Sequence, residues 1–103
     1  MSHFDPDLFE DKYEHYFTEL QQAYSGAFEV MSERHDSELV HAIDQAILSE
    51  SEPFYEDHGG FRIEVPDDAA ERLPECDRAR VEVVLEEYRG EIASQLRDLF
   101  ELA

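Results

Sequence analysis

The sequence predicts an α+β domain that is mostly α: two long helices and one medium helix packed with a two-stranded antiparallel β-hairpin, plus a short helical turn. Three observations carry this expectation. Apolar residues recur at steps of three and four over two long stretches, and a segment of period two lies between Pro53 and Pro66. The composition, 42% hydrophobic with seven Phe and five Tyr in 103 residues, suffices for one small core and not for two. Residues 1–103 are therefore read as a single domain.

The first helix is expected over residues 6–34. Asp5 can accept a hydrogen bond from the first free amides, and Pro6 at the first helical position sacrifices none. Its apolar stripe runs Phe9, Tyr13, Tyr16, Leu20, Tyr24, Ala27 and Met31, widened by Phe17 and Phe28. Gly26 interrupts it at a cost of about 1 kcal/mol, so the helix reads as continuous, with a break at Gly26 as the alternative. A second helix over 37–50 carries Leu39, Val40, Ile43, Ile47 and Leu48 and can be capped by Asp36 or Ser37.

Pro53 ends helical structure, and a hairpin is expected over 53–65, turning at Asp57-His58-Gly59-Gly60. Phe61, Ile63 and Val65 share one face and Arg62 and Glu64 the other; either Phe54 or Tyr55 could oppose Ile63. Asp68 and Glu71 have capping-box spacing for a short helix over 68–73. A last helix over 76–102 presents Val81, Leu85, Tyr88, Ile92, Leu96, Leu99 and Phe100.

The chain holds 27 acids against eight bases, a net charge of −19, and Lys12 is its only lysine. Residues 1–36 carry nine acids against two bases, 37–66 seven against one, and 67–103 eleven against five, for net charges of −7, −6 and −6. An acidic tail or docking strip would concentrate the charge; an even spread points to solvent. At molar salt the screening length falls to about 3 Å and self-repulsion fades. Keeping seven arginines while losing lysine points the same way, toward a protein of very salty water.

Three segments also resemble a known family: Phe4-Asp5-Pro6-Asp7-Leu8-Phe9-Glu10-Asp11-Lys12-Tyr13, Leu39-Val40-His41-Ala42-Ile43-Asp44-Gln45 and Ser49-Glu50-Ser51-Glu52-Pro53-Phe54-Tyr55-Glu56. They are similar to a family of small, uncharacterised acidic proteins of halophilic archaea, a domain of unknown function. The resemblance spans most of the chain, least securely Leu73 to Val84, and implies a saline habitat and a stand-alone domain. It brings no enzymatic motif.

Charge and composition exclude several functions. So acidic a surface repels phosphates and anionic lipid, so neither direct nucleic-acid binding nor membrane association is expected. The opening Met1-Ser2-His3-Phe4-Asp5-Pro6-Asp7 lacks a signal-peptide pattern, no 18-residue apolar run occurs, and Cys76 is alone; a cytoplasmic location is expected. Cys76 lies between Glu75 and Asp77, which disfavour its thiolate, and no glycine-rich elbow surrounds a serine, so no enzymatic activity is expected.

Glu38 and His41 stand one helical turn apart, as in carboxylate-bridged metal bundles, and Asp11 and His15 could add two ligands. Such sites need a second Glu-x-x-His, which the chain lacks, so neither a metal nor a cofactor is expected. The aromatic series Tyr13, Tyr16, Phe17, Tyr24 and Phe28 reads as core, with a ligand pocket as the alternative. A one-layer hairpin can bury only one of Phe54 and Tyr55, and Arg62 lies on the outer face, so these three form the candidate protein-contact surface. The leading expectation is a non-catalytic domain acting through protein contacts or self-association. The alternatives are a nucleic-acid mimic that binds a basic protein, and a metal or small-ligand binder.

Overall fold

The computed structural model describes residues 4–56 and 60–102. It is α+β and mostly α, as the sequence predicts. A 3-10 turn, Leu8–Asp11, leads into α1 (Lys12–His15) and α2 (Phe17–Arg34), followed by α3 (Ser37–Ala46) and a 3-10 turn at Leu48–Glu50. The hairpin strands are β1 (Glu52–Glu56) and β2 (Gly60–Glu64); a 3-10 turn at Ala69–Arg72 then precedes α4 (Arg78–Leu99).

The first helix is not continuous over 6–34, and it breaks at Tyr16 instead of Gly26. Tyr16 leaves helical geometry at φ −128°, ψ 24°, while α2 runs unbroken through Gly26. The Tyr16 ring is buried against Phe4, Phe9 and Phe100, and its hydroxyl accepts the Asp5 N–H at 2.9 Å. Burying that ring while folding the N-terminal segment back over it takes a bend there. Gly26 stays helical and faces α4, where a Cβ would lie 2.8 Å from Gln95 Oε1. With Ala23 and Ala27 fully buried beside it, α2 offers α4 a small-residue face for close packing.

The other boundaries shift for local reasons. The second helix stops at Ala46, short of 50, because the Ser49 hydroxyl donates to the Gln45 carbonyl and the Ser51 hydroxyl to that of Leu48, both at 2.7 Å. Asp36 caps α3 through the Glu38 N–H. Asp77 caps α4, so that helix starts at 78 instead of 76. At its other end Glu101 takes φ 57°, letting the Leu102 N–H reach the Arg97 carbonyl at 2.9 Å and ending the helix before 102. Asp68 caps nothing; its carboxylate accepts from Arg72 Nε at 2.9 Å, and the short helix is a 3-10 turn.

In the hairpin Pro53 opposes Ile63, Phe54 opposes Arg62 and Tyr55 opposes Phe61, so neither aromatic of β1 faces Ile63. The expected turn residues Asp57, His58 and Gly59 lie outside the described residues. Pro53, Phe61 and Ile63 are buried toward the helices. Arg89 of α4 donates from Nε to the Ile63 carbonyl at 2.7 Å, fastening β2 to the longest helix. Between α2, α3 and α4 the core is aliphatic apart from Tyr88, with Met31, Val40, Ile43, Ile47, Val81, Tyr88, Ile92 and Leu96 fully buried. At the hairpin end it turns aromatic, with Phe4, Phe9, Tyr16, Tyr55, Phe61 and Phe100 in mutual ring contact.

Candidate functional site

The bend at Tyr16 redistributes the N-terminal aromatics. Phe9, Tyr16 and Leu20 stay on the inner face, but Tyr13 is 58% exposed and Phe17 52%. Both were expected in the core, and the structure corrects this: a stripe containing Tyr13, Tyr16, Phe17 and Leu20 is wider than the face available, and the excess spills outward. Tyr24 and Phe28 are half-buried, and Tyr16 alone of the series is buried. The place that Tyr13 vacates is taken by Lys12.

Lys12 is only 3% exposed. Its Nζ donates to Glu52 Oε2 at 2.9 Å and lies 5.4 Å, 5.3 Å and 5.0 Å from the ring centres of Phe9, Tyr13 and Phe54. The ring faces supply negative quadrupole and Glu52 a full counter-charge, which together offset removal of the ammonium from water. The single lysine is thus a structural cation clamping the N-terminal segment to β1.

That clamp divides a seam between the N-terminal helical segment and the stretch from Leu48 to Tyr55. On one side is a hollow of about 240 Å³ walled by Tyr13, Phe17, Leu20, Tyr24, Leu48 and Pro53, with Gln21, Ser49 and Ser51 as its polar lining. Inside it the Tyr24 and Ser51 hydroxyls share a hydrogen bond of 2.9 Å. Burial pushes the Tyr24 phenol up to about 12, partly offset by Ser51, with Glu52 adding to the rise. The Tyr13 phenol is raised too, by desolvation first and then by Glu52. On the other side of the clamp a hollow of about 430 Å³ is lined by Pro6, Asp7, Phe9, Glu10, Lys12, Glu52, Phe54 and Tyr55.

The expected contact surface splits between two environments. Tyr55 turns inward, its ring 4.9 Å from Phe4 and 5.3 Å from Phe61. Phe54 faces outward as a half-buried ring between two cations, Lys12 Nζ and Arg62 Cζ, each 5.0 Å from its centre. Arg62 does receive carboxylates, but from its own hairpin: Glu56 at 3.0 Å and Glu64. Sequence reasoning missed Lys12 as a seam residue, and it favoured the core for Tyr13, Phe17 and Tyr24, whose alternative reading as pocket lining is the one the first hollow matches. The available signals were the over-wide stripe and a sole lysine set between Phe9 and Tyr13.

The metal candidates do not converge. Asp11, His15, Glu38 and His41 are all exposed, and the His41 ring stands edge-on to Phe28 at 6.3 Å. Among the described residues no group of three or more His, Cys, Asp or Glu side chains could hold a metal ion. Cys76 is a half-buried free thiol beside Asp36, Glu38 and Arg80. No helix among the described residues is long and apolar enough to cross a membrane.

Comparison with curated proteins and with solved structures finds no match to this chain. Residues 1–103 match the family described as "Family of unknown function (DUF5783)". The chain belongs to that family along its whole length.

Proposed function

We propose that this chain is a non-catalytic, salt-adapted cytoplasmic domain of a halophilic archaeon that acts by binding another protein. The observation that carries the reading is the seam: Tyr13 and Phe17, half or more exposed, flank an apolar hollow on a surface otherwise rich in carboxylates. Exposed aromatics in clefts are the commonest anchors of protein contacts. Carboxylates spread over all three thirds of the chain support the saline habitat, because they keep an apolar-lined seam soluble where salt strengthens hydrophobic association.

Light scattering in molar KCl, followed by affinity capture from a halophile lysate at the same salt, tests the contact reading. A strict monomer that captures nothing overturns it. Salt adaptation is tested separately by thermal unfolding, whose midpoint is expected to rise steeply from dilute buffer to molar KCl. A flat or falling midpoint overturns that part.

A further inference from the structure

We infer that the seam takes a polypeptide segment of a partner protein in which an apolar side chain stands next to an arginine or lysine. The inference rests on the protein-contact reading and names the partner's chemistry. The hollow beside Tyr13 and Phe17, at about 240 Å³, lies below the roughly 300–1,000 Å³ of small-molecule sites. It is sized for one inserted side chain. Ser51 donates to the Leu48 carbonyl and so accepts from the Tyr24 hydroxyl, and the walls of Tyr13, Phe17, Leu20, Leu48 and Pro53 favour an apolar anchor.

The neighbouring hollow has a different chemistry. It combines the rings of Phe9, Phe54 and Tyr55 with the carboxylates of Asp7, Glu10 and Glu52. Its one internal cation, Lys12, is held by Glu52. Among the described residues the Asp7 and Glu10 carboxylates form no ion pair, although Arg62, Arg72, Arg78 and Arg89 are all paired elsewhere. Uncompensated carboxylates at the mouth of an apolar hollow favour a cation, and a guanidinium suits them best because its planar fork can donate to two oxygens at once. The molecule itself uses this chemistry on the same face, where Arg62 donates to Glu56 and Glu64 beside the Phe54 ring. A second copy of the chain is the poorer occupant, since its Lys12, Arg62, Arg72, Arg78 and Arg89 are already held by its own carboxylates.

The chain has no tryptophan, so a peptide tryptophan can be watched alone. The probe is a hexapeptide with one Trp between two Arg residues, titrated into the full chain in molar KCl by Trp emission and backbone amide shifts. Saturable binding with a blue-shifted emission is expected, with shifts confined to the seam. Replacing both Arg by Glu in the peptide, or making Phe17→Ser in the protein, is expected to weaken binding by about tenfold, and Glu10→Gln, an exposed charge at molar salt, by about twofold, while Val83→Ser on α4 leaves it unchanged. Thermal midpoints of the variants show that each still folds. Absence of binding at millimolar peptide, equal binding of the Glu peptide, or indifference to both seam variants overturns the inference. Captured partners lost with Val83→Ser and kept with Phe17→Ser overturn the seam assignment alone. A chain that captures nothing and stays monomeric removes the underlying reading as well.

Discussion

The two ends of the core are built by different rules. Between α2, α3 and α4 it is aliphatic apart from Tyr88, and its buried residues sit on helix faces at steps of three and four: Ala23, Ala27 and Met31, then Val40, Ile43 and Ile47, then Val81, Leu85, Tyr88, Ile92 and Leu96. At the hairpin end it is aromatic, and its rings come one or two at a time from five separate places: Phe4, Phe9, Tyr16, the pair Tyr55 and Phe61, and Phe100. The aliphatic part is a product of periodicity. The aromatic part depends on how distant segments are brought together, and the exposed seam is its outer edge.

The sharpest way to separate the two regions is to cut one large side chain from each. Phe61→Ala is expected to cost about 3–5 kcal/mol, and Met31→Ala about 2–5, in denaturant unfolding at molar salt. The informative difference lies in hydrogen exchange. Phe61→Ala should loosen the hairpin and the N-terminal segment while the amides of α2 and α4 keep their protection; uniform loss of protection would mean a single cooperative core.

Alkali comes next, because it loads both regions through tyrosine. In the folded chain burial raises Tyr24 to about 12, and burial with Asp44 raises Tyr88 further, above an ordinary value of 10. A phenol that holds its proton more tightly when folded contributes stability that is complete below pH 10 and is lost as pH climbs through its folded value. Thermal midpoints are therefore expected to be flat up to about pH 10 and to fall from there toward pH 12, with phenolate absorbance lagging behind that of the unfolded chain. A midpoint that stays level to pH 12 would contradict the burial of these hydroxyls.

Smaller effects follow from single contacts. Tyr16→Phe keeps the ring among the aromatics but leaves the Asp5 N–H without its acceptor, for an expected loss of about 0.5–1.5 kcal/mol. Gly26→Ala works in the opposite direction. A new methyl meets only the far end of Gln95, which can turn aside, so the gain in helix propensity is expected to dominate, by up to about 1 kcal/mol. Denaturant midpoints check both, and a destabilised Gly26→Ala would mean that Gln95, whose Nε2 donates to Glu91 at 3.1 Å, cannot turn aside.

Legibility followed the same division. The faces of α3 and α4, the alternation of β2 and the cap at Asp36 were readable because they depend on neighbours in the chain. The bend at Tyr16 was not. Its cause is a ring contact with Phe100 and a hydroxyl bonded to Asp5, neither of which helical spacing encodes. The hairpin register stayed open for a related reason: pairing Tyr55 with Phe61 depends on the turn length and on the N-terminal segment that covers Phe54. Of the seam, Phe54 and Tyr55 were legible as a contact surface, and Tyr13, Phe17 and Tyr24 as the alternative lining of a pocket. Lys12 was overlooked because a lysine is ordinarily assigned to solvent.

Burial of Lys12 gives this chain an internal clock. Its Nζ is the only side-chain amine, and in the folded state it is shielded by three rings and bonded to Glu52. An acylating reagent added in excess can reach it only when the N-terminal segment lifts from β1, so the rate of mass gain at this one residue measures how often the seam opens. The same measurement needs no label, no mutation and no knowledge of the partner, and anything that settles into the seam should slow it.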